Sequence, residues 1–279
     1  MSPIGKLLRE WRSARGFSQL DLAMRAGFSS RHLSFIETGR TQPSRQALLI
    51  LAETLEVPLR ERNRLLEAGG YAHVYRQTPL DADEMRHVRG VLQFILDRHE
   101  PYGAVVLDRY SNLLMGNAAA TRMLGTLVDS TLLSSSPNLL RMVFHPLGGR
   151  RHIVNWNEVS RHLLARADRE LSVPGDETAA ALLRELREYA GPFDSLRSLR
   201  AGPSDSLPSA RPARSGQAEP ADVLLPVHIR KDGLDLRLFS AIMTLGTPQD
   251  VTLQELRIET FFPADPESER TIRAIGKRG

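Results

Sequence analysis

The chain of 279 residues has no cysteine. That single absence removes disulfides, thiolate zinc sites, iron–sulfur clusters and thiol nucleophiles. Long apolar runs are missing too, and nothing reaches the roughly 18 uncharged apolar residues that a membrane-spanning helix needs. The opening Met1-Ser2-Pro3-Ile4-Gly5 runs into a charged amphipathic segment without the apolar core of a signal peptide, so a cytoplasmic protein is expected. The eight histidines form no HExxH, and His152 and His162 are too far apart to pair on one helical face. Gly148-Gly149-Arg150 is not followed by the Lys-Ser/Thr of a phosphate loop. No catalytic residue, metal ligand or cofactor is expected from these patterns.

Lysine is scarce as well: Lys6, Lys231 and Lys277 leave 34 of the 37 basic residues as arginine. Position of charge is therefore more informative than arginine number. Residues 1–51 carry eight basic groups against three acids, a net of +5, whereas the whole chain is only +4, so the remainder sums to −1. A small basic head on a neutral body implies a polyanion partner for the head alone. With 41% hydrophobic and 25% charged residues, the chain has the composition of about two soluble domains.

The first 70 residues read as short helices. Ile4, Leu7, Leu8 and Trp11 form one stripe, and Gly16 ends it. Ser18-Gln19-Leu20-Asp21 is a capping-box pattern for a second helix with Leu20, Leu22 and Ala23 inward, closed by Gly27. Ser29 caps a third, with Phe28 and Leu33 as a hydrophobic staple, and Gly39 closes it. Pro43-Ser44 opens a fourth, Val57-Pro58 stops it, and a fifth runs to Gly69-Gly70. The second and third helices make a helix-turn-helix. With Leu33 and Ile36 inward, Arg31, Ser34, Phe35 and Thr38 point out, and Ser30 sits beside them. Such residues suit major-groove base edges: Arg31 for guanine, Ser30 and Ser34 for either base, Phe35 for a thymine methyl. Gln19 and Arg40 are placed for phosphates, aided for Gln19 by the helix dipole. Ser29 and His32 complete the candidate DNA-binding set, although a surface histidine is the plainer reading of His32. A five-helix protein-interaction bundle remains the alternative.

The run Ser18-Gln19, Leu22-Ala23, Ala26-Gly27-Phe28-Ser29, Leu33-Ser34, Ile36-Glu37-Thr38-Gly39 and Pro43 resembles the Cro/phage-repressor type of helix-turn-helix. The resemblance implies a structural ion pair between Arg12 and Glu37. Further runs, among them Val57-Pro58-Leu59-Arg60-Glu61-Arg62-Asn63, His99-Glu100-Pro101-Tyr102, Asp108-Arg109, Gly246-Thr247-Pro248-Gln249-Asp250-Val251-Thr252-Leu253 and Phe262-Pro263-Ala264-Asp265, resemble MmyB-like (MltR-type) regulators. That likeness implies a PAS-like ligand-binding domain after the head and a fatty-acid type of ligand. Gly103 departs from it, standing where the family often has Pro.

The expected architecture is an all-α helix-turn-helix head (1–70), a connector ending in a helix (71–100), an α+β PAS-like domain with a five-stranded antiparallel sheet (101–265) and a tail (266–279). Strands are expected at 102–107, 113–115, 223–230, 234–245 and 251–262, with helices from Asn117 and over 138–145, 152–169 and 176–190. Residues 200–222, rich in Pro, Gly and Ser, read as a mobile loop. In 234–245, Leu234, Leu236, Leu238 and Ile242 share one face, and Phe239, Ala241, Met243 and Leu245 the other, so both faces should be covered. Inserted helices would cover one; the connector helix or a dimer partner, the other. Phe239, Met243, Met115, Met123, Met142 and Trp156 are candidate cavity residues, and Arg109, Arg141 and His145 are candidates for a carboxylate head group. A closed core that only dimerises stays open as an alternative. A self-cleaving repressor would need Ser195 paired with Lys231 and a scissile Ala68-Gly69, but Lys231 falls in an exposed hairpin, unsuited to a base. The expected partners are double-stranded operator DNA, a small apolar ligand and a second copy of the chain, with no membrane.

Overall fold

Side-chain caps set the helices of the head in the computed structural model, which describes residues 2–133, 137–173, 176–191 and 225–276. Helix α1 (Pro3–Ala14) starts on Ser2, whose hydroxyl accepts from the Gly5 amide. Helix α2 (Gln19–Ala26) carries a closed capping box: Ser18 Oγ accepts from the Asp21 amide at 3.1 Å, and the Asp21 carboxylate accepts from the Ser18 amide at 3.2 Å. Helix α3 (Ser30–Thr38) is capped by Ser29 and α4 (Arg45–Thr54) by Ser44; α5 (Leu59–Ala68) follows Pro58. Each such cap is worth about 1 kcal/mol. Gly27 and Gly39 close α2 and α3 in the left-handed region, at φ 74° and 79°, where a Cβ would be strained. Leu8, Leu22, Leu33, Ile36, Leu51 and Leu65 fill the core between these helices. Leu20, expected inward, is 56% exposed. With only eight residues in α2, Leu22, Ala23 and Ala26 already fill its inward stripe.

The second unit begins with α6 (Arg86–Arg98) and a hairpin of β1 (Ala104–Leu107) and β2 (Leu113–Gly116). Helices α7 (Ala118–Leu127), α8 (Leu139–Phe144), α9 (Trp156–Leu171) and α10 (Glu177–Ala190) come next. Strands β3 (Val227–Lys231) and β4 (Leu234–Met243) turn on Asp232 and Gly233, both at positive φ, the geometry of a tight two-residue hairpin. A short helix α11 (Val251–Glu255) separates β4 from β5 (Arg257–Pro263), and α12 (Pro266–Gly276) ends the described chain. The sheet is antiparallel in the order β2-β1-β5-β4-β3. Glu259 on β5 lies opposite Val105 and Ile242, and Phe261 opposite Ser240. That register puts Ser240, Glu259 and Phe261 on one face. Phe239 and Phe262 lie on the other face, stacked at 5.3 Å, with the His99 ring edge-on to Phe262 at 4.9 Å.

Three expectations change here. The stretch 251–262 is not one strand, because Asp250 accepts from the Thr252 amide and starts α11. The tail is a helix: Asp265 caps it at the Ser268 amide, Ser268 Oγ accepts from the Arg237 amide, and Ile272 and Ile275 pack on the sheet core. Within the single chain, and among the described residues, the end of β4 is not covered on both faces, which leaves a dimer partner as the expected cover. Pairing with β3 stops at Leu238, and Ala241, Ile242 and Met243 are exposed. The expected loop 200–222 lies outside the described residues.

The two compact units are residues 1–86 with 245–255, and 87–244 with 256–279. The head unit therefore extends beyond residue 70. Asn63 holds the irregular run after α5, accepting from the Val74 and Tyr75 amides and donating to the Tyr75 carbonyl. Segment 245–255 joins it from the far end of the chain: the Val251 amide donates to the Arg76 carbonyl, and Asp250 accepts from Thr78. Gln254 caps α5 at the Leu59 amide, and Glu255 takes a two-pronged ion pair from Arg60 at 2.7 and 2.9 Å.

Gly5 is where α1 and α3 approach most closely. A Cβ there would lie 2.4 Å from the Glu37 carbonyl oxygen, a backbone atom that cannot swing away. Gly5→Ala should destabilise the head by about 1–3 kcal/mol through overpacking. Gly90→Ala, with open space around the site, should gain roughly 0.5–1 kcal/mol of helix stability. Thermal unfolding of both variants tests the contrast.

Candidate nucleic-acid interface and ligand cavity

The head is organised around one buried carboxylate. Glu37, at the end of α3, is 0% exposed. Arg12 of α1 donates to it from Nε at 2.6 Å and from Nη2 at 3.0 Å. Gln19 of α2 donates from Nε2 at 2.8 Å, and Arg9 from Nε at 3.4 Å. Three helices thus meet on one side chain. Burial pushes the Glu37 carboxyl up, but the hydrogen bonds from Arg12 and Gln19, with the Arg12 charge, win and hold it below the usual range. Arg12 also donates to the Phe17 carbonyl at 2.9 Å, tying down the loop into α2.

Opposite this anchor, α3 presents an open face. Ser30, Arg31 and Thr38 are exposed, and Ser34 and Phe35 half-exposed. The Arg31 guanidinium lies 5.3 Å from the Phe35 ring centre, and that of Arg40 5.7 Å from it. One aromatic plate flanked by two cations is a surface suited to base edges and phosphates. Thr38 Oγ1 donates to the Ser34 carbonyl at 2.7 Å, which fixes its rotamer. The other sequence-chosen residues divide differently. Ser29 is spent on its cap to the His32 amide. His32 is half-buried and stacks on Phe28 at 5.6 Å, so it belongs to the side of the helix. Gln19 is half-buried and gives one amide hydrogen to Glu37; its amide nitrogen carries a second.

In the sheet unit, α7, α8 and α9 enclose a cavity of about 130 Å³ against β3, β4 and β5. Its wall is aliphatic, with Leu124, Met142, Val159, Ile229 and Leu238 among the lining residues. Four side chains bring polarity to it: His152, Arg166, Ser240 and Glu259. Arg166 Nη2 lies 3.4 Å from Glu259 Oε2, with both side chains largely buried. Burial first, then the charges of Lys231 and Arg151, lower His152 from the ordinary histidine value and favour its neutral form.

The expected ligand contacts fall mostly elsewhere. Phe239, Met123 and Met142 border the cavity. Arg109 is ion-paired with Asp176 at 2.6 Å, and Arg141 with Glu185 at 2.9 Å. His145 packs edge-on to Tyr189 at 5.0 Å. Trp156 packs on Phe144 and under Arg150 beside the cavity, Met115 is half-buried on the edge strand β2, and Met243 is exposed at the end of β4. Arg166 and Glu259 were missed. The available signal was a charged residue alternating with apolar ones in a central strand, Arg257-Ile258-Glu259-Thr260-Phe261. Ser195 lies outside the described residues, and Lys231 donates to the Thr126 carbonyl from the β3–β4 hairpin.

Residues 88–275 match the family model of the MmyB-like transcription regulator ligand binding domain. The chain belongs to that family. The head, residues 3–65, matches a helix-turn-helix domain. A curated relative, the uncharacterized HTH-type transcriptional regulator RghRB of Bacillus subtilis (strain 168), is 36% identical over 85 residues, which is 30% of this chain and 59% of that protein. The MmyB-like domain thus holds the cavity, and the helix-turn-helix holds the cationic face of α3. Among the described residues no helix is long and apolar enough to cross a membrane.

The Glu37 anchor gives a pH and mutation signature. A carboxyl held low in the fold contributes stability above the ordinary glutamate range, and that contribution is lost as pH falls through the lowered value. The head's melting temperature should therefore drop on acidification below about pH 4.3. Arg12→Ala should cost about 3 kcal/mol, the lower end for a broken buried pair, because Arg9 and Gln19 remain. It should also flatten the acid limb. Circular dichroism melts from pH 3 to 7 check both.

Proposed function

We propose that this protein is a cytoplasmic, homodimeric transcription regulator. Its head reads double-stranded operator DNA through α3, and its MmyB-like domain senses a small apolar molecule, such as a fatty acid or a similar aliphatic amphiphile. The observation that carries the reading is the outer face of α3: Arg31 on the helix and Arg40 just past its C-cap flank the half-exposed Phe35, and Glu37 anchors the helix from behind. Arg31 forks onto a guanine, Phe35 packs on a thymine methyl, and Arg40 meets a phosphate. The second amide hydrogen of Gln19 reaches a phosphate at the start of α2. Single helix-turn-helix heads are small, so two linked heads on half-sites about one helical turn apart supply the affinity.

The cavity favours a sensing body over one that only dimerises. A solid core would leave no space beside four polar side chains. Segment 245–255 supports a route from ligand to DNA: the chain leaves the sheet at β4, joins the head unit through Asp250, Gln254 and Glu255, and returns as β5. Both flanking strands border the cavity.

Anisotropy titrations of a selected site and a random duplex test the DNA reading. Arg31→Ala should lose about 1–3 kcal/mol on the selected site and little on random DNA, whereas Gln19→Ala should weaken both alike. Equal losses on both duplexes for Arg31→Ala would contradict the assignment. Glu255→Ala, which removes the Arg60 ion pair, should leave operator affinity without ligand near wild type and shrink the ligand's effect on it. A tenfold ligand effect corresponds to about 1.4 kcal/mol of coupling.

A further inference from the structure

Two ion pairs bridge α9 and β5, and they are unequal. Arg166 and Glu170 are one turn apart on α9; Glu259 and Arg257 alternate on β5. Arg257 and Glu170 close on each other directly. Arg166 and Glu259 touch only through one N–H at 3.4 Å, their sole mutual contact. Neither has a further partner among the described residues. Yet Glu259 is 5% exposed, and both line a mainly apolar cavity. A buried pair offsets its desolvation only when its remaining lone pairs and protons are hydrogen-bonded. Here most of a guanidinium's five donors and a carboxylate's lone pairs are unused. The Ser240 hydroxyl, diagonal to Glu259 on the same sheet face, also has no partner among the described residues.

We propose that Arg166 and Glu259 together bind the head group of an aliphatic amphiphile, and that this head is neutral and both donor and acceptor, a carboxamide fitting best. The proposal rests on reading the cavity as the ligand site and names the chemistry it selects. The carboxamide oxygen accepts from Arg166, and its N–H donates to Glu259. The pair sums to zero charge, so a neutral head adds no net charge to the buried site. A carboxylate head would face Glu259, and an ammonium head would face Arg166; either leaves like charges together in an apolar enclosure. A carboxylic acid binds in its protonated form. A cavity of about 130 Å³ is slightly smaller than an apolar cavity of about 150 Å³ that admits benzene. It therefore encloses roughly six heavy atoms of the ligand.

Isothermal titration of the full-length protein with octanamide, sodium octanoate and octylamine at pH 7.5 tests this. Octanamide should bind at least tenfold more tightly than either charged analogue, and octanoate should tighten as the pH is lowered. In Glu259→Gln, Arg166 is left unopposed, and octanoate should gain at least tenfold relative to octanamide. If that variant does not fold, the wild-type ratio and its pH dependence still decide. Octanoate binding as tightly as octanamide at pH 7.5 would overturn the head-group assignment while keeping the cavity as a ligand site. Binding of none of the three would overturn both.

Discussion

A single buried carboxylate sets the geometry on which DNA recognition by this fold depends. Glu37 takes donors from α1, from α2 and from a second arginine, while its own helix carries the outward residues. An unpaired carboxylate at that depth would be several kcal/mol unfavourable. Arg12 and Arg9 offset that cost from α1 and Gln19 from α2, and together they fix both helices relative to α3. Gly5 completes the constraint, because only a residue without a Cβ lets α1 approach the Glu37 backbone closely enough for Arg12 to reach it. The serine caps and the two left-handed glycines then trim α2 and α3 to the lengths that keep Phe35 and Arg31 in the open.

The sheet unit solves a different problem with similar parts. Its central strand β5 carries charge inward, at Arg257 and Glu259, against the complementary charges of α9. One pair is closed and holds helix to sheet. The other is loose and borders the cavity. The same strand and its neighbour β4 run into segment 245–255, which belongs to the head unit. A ligand that tightens the loose pair would act on strands whose connection is built into the DNA-binding half.

Much of this was legible in the sequence, for local reasons. Caps, left-handed glycines and apolar stripes are short-range signals, and they placed α1 to α5, the β1–β2 hairpin and α7 to α10 within a few residues. The Arg12–Glu37 pair came from the helix-turn-helix resemblance, since nothing in spacing alone joins positions 25 apart. The failures are non-local. Leu20 looked buried because it begins an amphipathic window, but an eight-residue helix has only one narrow inner stripe. His32, whose plainer reading was a surface histidine, stacks on Phe28 at the side of the helix. Residues 251–255 alternate apolar and polar side chains as a strand does, but Asp250, accepting from the Thr252 amide, decides for helix. Helix α12 hid behind a charged composition, though Asp265-Pro266 and Ile272/Ile275 carry its start and its buried side. The candidate ligand cations Arg109 and Arg141 are near the first strands and helices in sequence; tertiary contacts pair them with Asp176 and Glu185 away from the cavity lining, and the polar pair at the cavity joins residues 93 apart.

The central claim is that α3 reads base sequence as half of a two-headed molecule. Selection of bound duplexes from a random-sequence library with the full-length protein, followed by sequencing, tests it most directly. The account requires an inverted repeat whose half-sites are centred about one helical turn apart, containing guanine and thymine positions that stop being enriched when Arg31→Ala and Phe35→Ala replace the wild-type protein. Recovery of unenriched sequence, or of a motif that both substitutions leave intact, would contradict it.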